Sequence, residues 1–332
     1  MRARIRFIAP LVLALAVTTA CGESGSSGTG GGEETDAAAS GAACAPVEGE
    51  QLVVLEDDQG LQNADNIIPA VHAATAEAQP ALLPALNAVS AALTTEELIG
   101  LNAAVDLERQ SAEDVAAAWV EENGVTEGLE QGSGPIVVGA ADFSENVILA
   151  NIYAGVLNAA GFTATVTEAG SRNLYLEALK AGQQIQVVPE YLATVTEFIE
   201  ADDANPVASG DVDETLAALE PLATAAGLAF GEPSEAADQN AFAVTQAFAD
   251  ELGVATLSEL AEACGDGSLV LGGPPECPTR PFCQLGLEEA YGMEFESFRE
   301  LDAGGPLTKA AIQQGEVSIG LVFSSDAALA QN

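Results

Sequence analysis

The 332 residues carry 51 acidic side chains against 9 basic ones, a formal net charge of −42 at pH 7. A surface of that sign repels phosphate, which excludes binding to nucleic acid or anionic lipid through charge. Hydrophobic residues still make up 48% of the chain, and this length can bury the cores of two ordinary domains.

The chain opens with Arg2, Arg4 and Arg6 ahead of an apolar run over 7–17. That run is too short to span a bilayer stably and reads as the core of a signal peptide ending at residue 21. Thr18, Thr19, Ala20 and Cys21 come next in the manner of a lipoprotein signal, with Cys21 as the lipidated residue. Thr18 stands where leucine is usual, and plain secretion with cleavage nearby is the alternative. The expected location is the outer face of the cell membrane, held there by lipid. Residues 22–45, rich in Gly, Ser, Ala and Glu, form a predicted flexible tether. Beyond the signal only Arg109, Arg172, Lys180, Arg280, Arg299 and Lys309 stay positive. Such an excess of acid suits a saline exterior or simple solubility, and composition leaves both open. An exported chain favours disulfides. Cys277 and Cys283 bracket the loop CPTRPFC and pair plausibly, which leaves Cys44 with Cys264. Metal binding is the weaker reading, because His72 is the single histidine and no C-x-x-C pair occurs.

In chain order, 51–55 is an apolar strand and 66–73 a second extended segment. Helices are predicted over 80–93, over 95–104 with Thr95 as cap, and over 111–122, which opens on Ser-Ala-Glu-Asp. Residues 123–134, NGVTEGLEQGSG, are a linker by composition. From 135 to 198 strands and helices alternate. A strand at 136–138 runs into the loop 139–143, and a helix capped by Ser144, with Glu145 in its first turn, ends at Gly161. A strand at 162–168 turns at Gly170 and Ser171 into a helix from Asn173 to Gly182. A third strand, 185–188, breaks at Pro189, Glu190 and Tyr191. Such alternation gives an α/β fold with a parallel sheet, in which ligands sit beyond the carboxyl ends of the strands. The loops 141–143, 170–172 and 189–191 are therefore the predicted site. Further on come a helix at 212–226, a strand at 228–230 and a polar turn over 232–239. Strands at 240–245, 268–271 and 317–323, an extended stretch at 298–301 and helices near 246–252, 256–263, 285–291 and 307–314 make a second α/β lobe.

Several of these stretches together resemble one family. GAADFSENVILANIYAGVLNAAG, GSRNLYLEALKAG and VVPEYLATVTEF, with LGGPPECPTRPFCQLGLEEAYGMEF, LTKAAIQQGEVSIG and LVFSSDAAL, are similar to the substrate-binding proteins of osmoprotectant ABC importers, whose ligands are glycine betaine, carnitine and choline. The resemblance implies a bilobal periplasmic-binding-protein type II fold, two α/β lobes joined by a two-strand hinge. It implies a monomeric extracytoplasmic receptor that hands a small quaternary amine to an ABC permease and ATPase complex. It implies no cofactor and no catalysis. The order departs from the family. QLVVLEDDQG, NADNIIPAV and ALNAVSAALTTEELIGLNAAVD resemble the segment that closes family members, yet here they come first. The chain is therefore read as circularly permuted. The expected first lobe is 46–235, made of the permuted segment 46–125, a linker 126–134 and 135–235, completed by 325–332; the second lobe is 236–324. The hinge crossings are expected at 232–240 and 323–326.

A quaternary ammonium donates no hydrogen bond, so a receptor holds it by aromatic faces. On the family pattern the ligand-binding candidates are Phe143, Ser171, Arg172, Tyr191, Asn240 and Phe323, with Tyr191 foremost. Phe323 has core packing as its alternative, and Phe143 and Phe242 favour it. Arg172 has a structural pairing with Asp142 or Glu190 as alternative. Arg280 and Asp326 are outer candidates, for a carboxylate and a cation respectively; solvent exposure and helix capping are their ordinary readings. Ala141 stands where the family often carries a lysine for a ligand carboxylate, which weakens glycine betaine and leaves choline open. An enzyme on a similar fold is disfavoured because no nucleophile has an evident base. A ligand-binding sensor without transport is the remaining alternative.

Overall fold

A computed structural model describes residues 44–201 and 206–331. The signal segment 1–21 with Cys21, the tether up to 43 and Asn332 lie outside the described residues. The strands are β1 (Leu52–Leu55), β2 (Ile67–His72), β3 (Pro135–Ala141), β4 (Thr163–Gly170), β5 (Val187–Tyr191), β6 (Leu228–Phe230), β7 (Asn240–Thr245), β8 (Asp266–Gly273), β9 (Glu294–Glu300) and β10 (Ile319–Phe323). They form two five-stranded sheets, ordered β4-β3-β5-β2-β6 and β1-β7-β10-β8-β9. In the first sheet β3 runs parallel to β4 and β5, while β2 is antiparallel to β5 and β6. The second repeats the plan, with β8 parallel to β9 and β10 and β7 antiparallel to β1 and β10. The fold is α/β and bilobal, one lobe around each sheet.

The helices are α1 (Ala73–Ala78), α2 (Leu82–Ser90), α3 (Thr95–Asp106), α4 (Ala112–Glu122), α5 (Ser144–Ala159), α6 (Arg172–Ala181), α7 (Leu192–Glu200), α8 (Val212–Ala226), α9 (Gln246–Leu252), α10 (Leu257–Cys264), α11 (Gln284–Tyr291) and α12 (Pro306–Gln313). Among the described residues no helix is long and apolar enough to cross a membrane. The α5 segment is apolar nearly all round and lies in the first lobe's core, with Ile148, Leu149, Ile152, Tyr153, Val156 and Leu157 buried. Thr94, one residue before the expected Thr95, caps α3 in a capping box with Glu97, because the box needs the glutamate three positions on. Ser144 does not cap α5; Phe143 holds that position with no side-chain bond.

The strand expected to break at Pro189 instead continues as β5 to Tyr191. Pro189 stands opposite Pro69 of β2. Antiparallel ladders alternate bonded and non-bonded pairs, and two prolines facing each other fill a non-bonded pair without costing a bond between their two strands.

The boundary of the lobes also differs from the expectation. Residues 46–55 belong with the second lobe, since β1 pairs with β7 from Leu52 opposite Thr245 to Leu55 opposite Phe242. Both leucines are buried in that lobe's apolar clusters. The crossings between sheets are therefore the segments 56–66 and 231–239. They pair with each other: the Ile67 N–H donates to the Ala236 carbonyl at 2.8 Å and the Asp238 N–H to the Asp65 carbonyl at 3.1 Å. Residues 324–331 do not cross alone but lie along this ribbon, Ser324 Oγ donating to the Ala237 carbonyl at 2.9 Å. Leu329 is buried in one cluster with Leu52 and Ile312. Disulfides join Cys44 to Cys264 and Cys277 to Cys283.

Candidate functional site

The carboxyl ends of β3 and β5 are locked together by one side chain. Asn146, fully buried in the first turn of α5, accepts from the Ala141 N–H at 2.7 Å and donates to the Pro189 carbonyl at 3.0 Å. That leaves the neighbouring Phe143 turned outward, 45% exposed. Phe323, the last residue of β10 in the other sheet, is 38% exposed. These two rings line one cavity of about 530 Å³ with Asn102, Glu145, Asp238 and Lys309. Large apolar side chains exposed at strand ends have no packing role to explain them, and a shared cavity gives them one.

Behind the rings lies a buried polar network. Glu145 is 5% exposed. Its Oε2 accepts from Asn102 Nδ2 at 2.6 Å and its Oε1 from the Tyr191 hydroxyl at 2.7 Å. Burial pushes the Glu145 carboxyl above its usual range, and these donors pull the other way. Asn102 Nδ2 also donates to the Ser325 carbonyl at 2.9 Å, so α3, α5 and the stretch after β10 meet there. Asp238 sits on the crossing 231–239, where burial and then the charge of Glu145 push its carboxyl up to about 7. Asn102 Oδ1 and Asp238 Oδ1 are buried and accept nothing. The Lys309 ammonium is held by both carboxylate oxygens of Asp326, at 2.8 and 2.6 Å.

Asp238 and Phe323 also border a second cavity, of about 360 Å³, with Asp65, Asn240, Arg280 and Phe282 on its walls. Thr194 there is bonded through its N–H and its hydroxyl to the two carboxylate oxygens of Asp65. Burial raises the Asp65 carboxyl against those bonds.

The candidates read from the sequence thus separate into three groups. Phe143 and Phe323 line the larger cavity, and Asn240 the smaller. Tyr191 is 5% exposed and lines neither; its ring lies 6.1 Å from that of Phe143, tilted by 32°, and backs it. Ser171 and Arg172 line neither cavity. Ser171 precedes α6 without a side-chain cap bond. Arg172 is the anchor of its alternative reading, gripping the fully buried Glu190 through Nη2 at 3.1 Å and Nε at 3.2 Å. Desolvation depresses the Arg172 guanidinium, but the charge and hydrogen bonds of Glu190 together with Tyr175 and Asp65 outweigh it and the net direction is upward. Phe242 is 1% exposed in the second lobe's core. Asp326 accepts the Ala328 N–H as well as Lys309, so it caps the final turn. Arg280 lines the smaller cavity and has Glu276, 3.9 Å away, as an ion partner.

Sequence reasoning missed Glu145, Asn102, Asp238 and Lys309 as site residues. Glu145 reads as an ordinary first-turn acid. Its role emerges only from α3 packing over it, a contact between residues far apart in the chain.

No curated protein matches the chain. A solved structure titled "Crystal structure of glycine betaine/carnitine/choline ABC transporter" is 18% identical over 59% of this chain and 70% of its own, with a TM-score of 0.41. The family described as the substrate binding domain of ABC-type glycine betaine transport systems matches residues 43–122 and 134–332. With that match spanning both sheets and both walls of the larger cavity, the chain belongs to the family of substrate-binding domains of ABC-type glycine betaine transport systems.

Proposed function

We propose that the chain is the extracytoplasmic receptor of an ABC importer, taking a quaternary ammonium osmoprotectant between its lobes and delivering it to the permease. The observation that carries this is the pair Phe143 and Phe323, one from each sheet, half-exposed toward one cavity whose wall also holds Glu145 and Asp238. Aromatic faces and carboxylates both attract a cation that cannot donate a hydrogen bond. Hinge motion at the paired crossings 56–66 and 231–239 closes the lobes over it. Tyr191 serves by backing Phe143 and holding Glu145 in place. Asn240 contacts the ligand only where it extends into the smaller cavity, and Arg172 acts from outside as a scaffold.

The reading extends to the chain's order and anchorage. The matched blocks stop at 122 and resume at 134, where the linker would join an old carboxyl end to an old amino end. Leu329 and Leu52 share one apolar cluster, as a permutation that cut the chain between them requires. Lipid on Cys21 would hold the receptor at the membrane.

Isothermal titration of the mature protein with choline, glycine betaine and carnitine tests the function. Saturable binding of at least one is expected, with heat lost when Phe143 and Phe323 are both replaced by alanine. Failure of all three to bind at millimolar concentration sinks the reading.

A further inference from the structure

Resting on the receptor reading, we propose that the larger cavity selects a cation that bears no carboxylate, so that choline is held in preference to glycine betaine. The two ligands share the trimethylammonium group. They differ at the opposite end, which is either a hydroxyl, neutral and able to donate, or a carboxylate, charged and only accepting.

The charges on the wall decide between them. Asp106, Glu145, Asp238 and Asp326 line the cavity, and Lys309 is the one cation among its described lining residues. The charge of Lys309 is already paired, since both oxygens of Asp326 hold its ammonium. A ligand carboxylate would therefore shed its water to face Glu145 and Asp238 with no unpaired positive side chain on the wall.

A second observation points the same way and does not involve net charge. Asn102 is 5% exposed and lines the cavity, yet its Oδ1 accepts no hydrogen bond. Asp238 Oδ1 is in the same condition. The lining brings four carboxylates, while its side-chain donors Asn102, Lys309 and Gln313 are already bonded to protein acceptors and the hydroxyls of Ser144 and Ser325 are what remain. A carboxylate adds two more acceptors to this wall, whereas a hydroxyl adds a donor.

Two features argue for an anion and neither prevails. The amino end of α5, beside Ser144, favours negative charge through its free amides and dipole, but Glu145 in its first turn already supplies that charge. Arg280 is a cation, but it lines the smaller cavity, among Asp65, Glu197 and Asp238.

The test is calorimetric titration of the mature wild-type protein at pH 7.5 with choline, glycine betaine and tetramethylammonium. Choline should bind at least tenfold more tightly than glycine betaine, with tetramethylammonium also ahead of glycine betaine. Asp238→Asn should shrink the choline preference severalfold while keeping a cooperative melt. A preference under tenfold, or glycine betaine ahead, overturns the selectivity and leaves the receptor reading standing. If glycine betaine leads and Arg280→Ala abolishes that lead, the carboxylate is seated in the smaller cavity and the inference is wrong. Binding by none of the three removes the receptor reading and the selectivity with it.

Discussion

The Tyr191 hydroxyl donates to Glu145 Oε1 at 2.7 Å, joining the end of β5 to the first turn of α5. One bond thus ties a ring that backs the cavity to a carboxylate on its wall. Tyr191→Phe keeps the ring and removes the donor, leaving buried Glu145 one partner short. A stability loss of about 1–3 kcal/mol is expected, read from thermal or urea unfolding, with a smaller affinity loss than for Phe143→Ala. Tyr191→Ala is the poorer probe, since emptying a site that is 5% exposed costs a further cavity term.

Phe143→Ala and Phe323→Ala should do the reverse. Both rings are more than a third exposed, so melting temperature should hardly change. Each cation–π face contributes about 0.5–2 kcal/mol, and choline affinity should fall accordingly in a titration. Unchanged affinity in either variant would remove that ring from the site.

Arg172 and Glu190 should behave as a structural pair. Arg172→Met leaves a carboxylate with no exposure and no counter-ion, a loss of about 3–5 kcal/mol. Arg172→Met with Glu190→Met should recover most of it. Chemical denaturation of the two single variants and the double variant gives the coupling; additive losses would contradict the pairing.

Protons bear on stability and on binding with opposite signs. The Asp238 carboxyl is lifted from 3.8 to about 7, chiefly by burial and then by Glu145. Glu145, Asp65 and Glu190 are lifted in the same direction by burial. A folded state that holds protons more tightly than the unfolded chain gains stability at low pH. That contribution is fully present below about pH 4 and is lost as pH rises through about 7. The ligand-free protein should therefore melt lower at pH 7.5 than at pH 5, and Asp238→Asn should flatten the slope. Choline affinity should run the other way, rising across the same window as the cation finds Asp238 ionised. A flat melting profile in the wild type would contradict the burial of these acids.

The proposed permutation makes its own forecast. A gene reordered to begin near residue 134, run to 331, continue through a short linker into residue 44 and end at 122, keeping Cys44 for its bridge to Cys264, should fold and bind as the natural chain does. The reason is that Leu329 and Leu52 already pack together. A reordered protein that is expressed unfolded would contradict the proximity of those ends.

Much of this architecture is legible in the sequence because local signals and tertiary structure agree. The alternation of strand and helix over 135–198 carries through to β3, α5, β4, α6, β5 and α7, each bounded by turn residues of its own. Phe143 and Phe323 can be named because strand ends in such sheets face the ligand. β1 reads into the wrong lobe because an apolar strand shows its period but not its partner; β7, far along the chain, decides that. Pro189 reads as a breaker because the opposing Pro69 cannot be seen in the local sequence. Asn102 and Asp238 give no signal, since each gains its place only when remote segments meet.

The bridge between Cys44 and Cys264 fixes where tension enters the molecule. A pull applied at Cys44 passes through sulfur into the end of α10 before it reaches β1 or the paired crossings. The second lobe thus holds the first described residue of the chain, and the first lobe is reached from it only through the paired crossings.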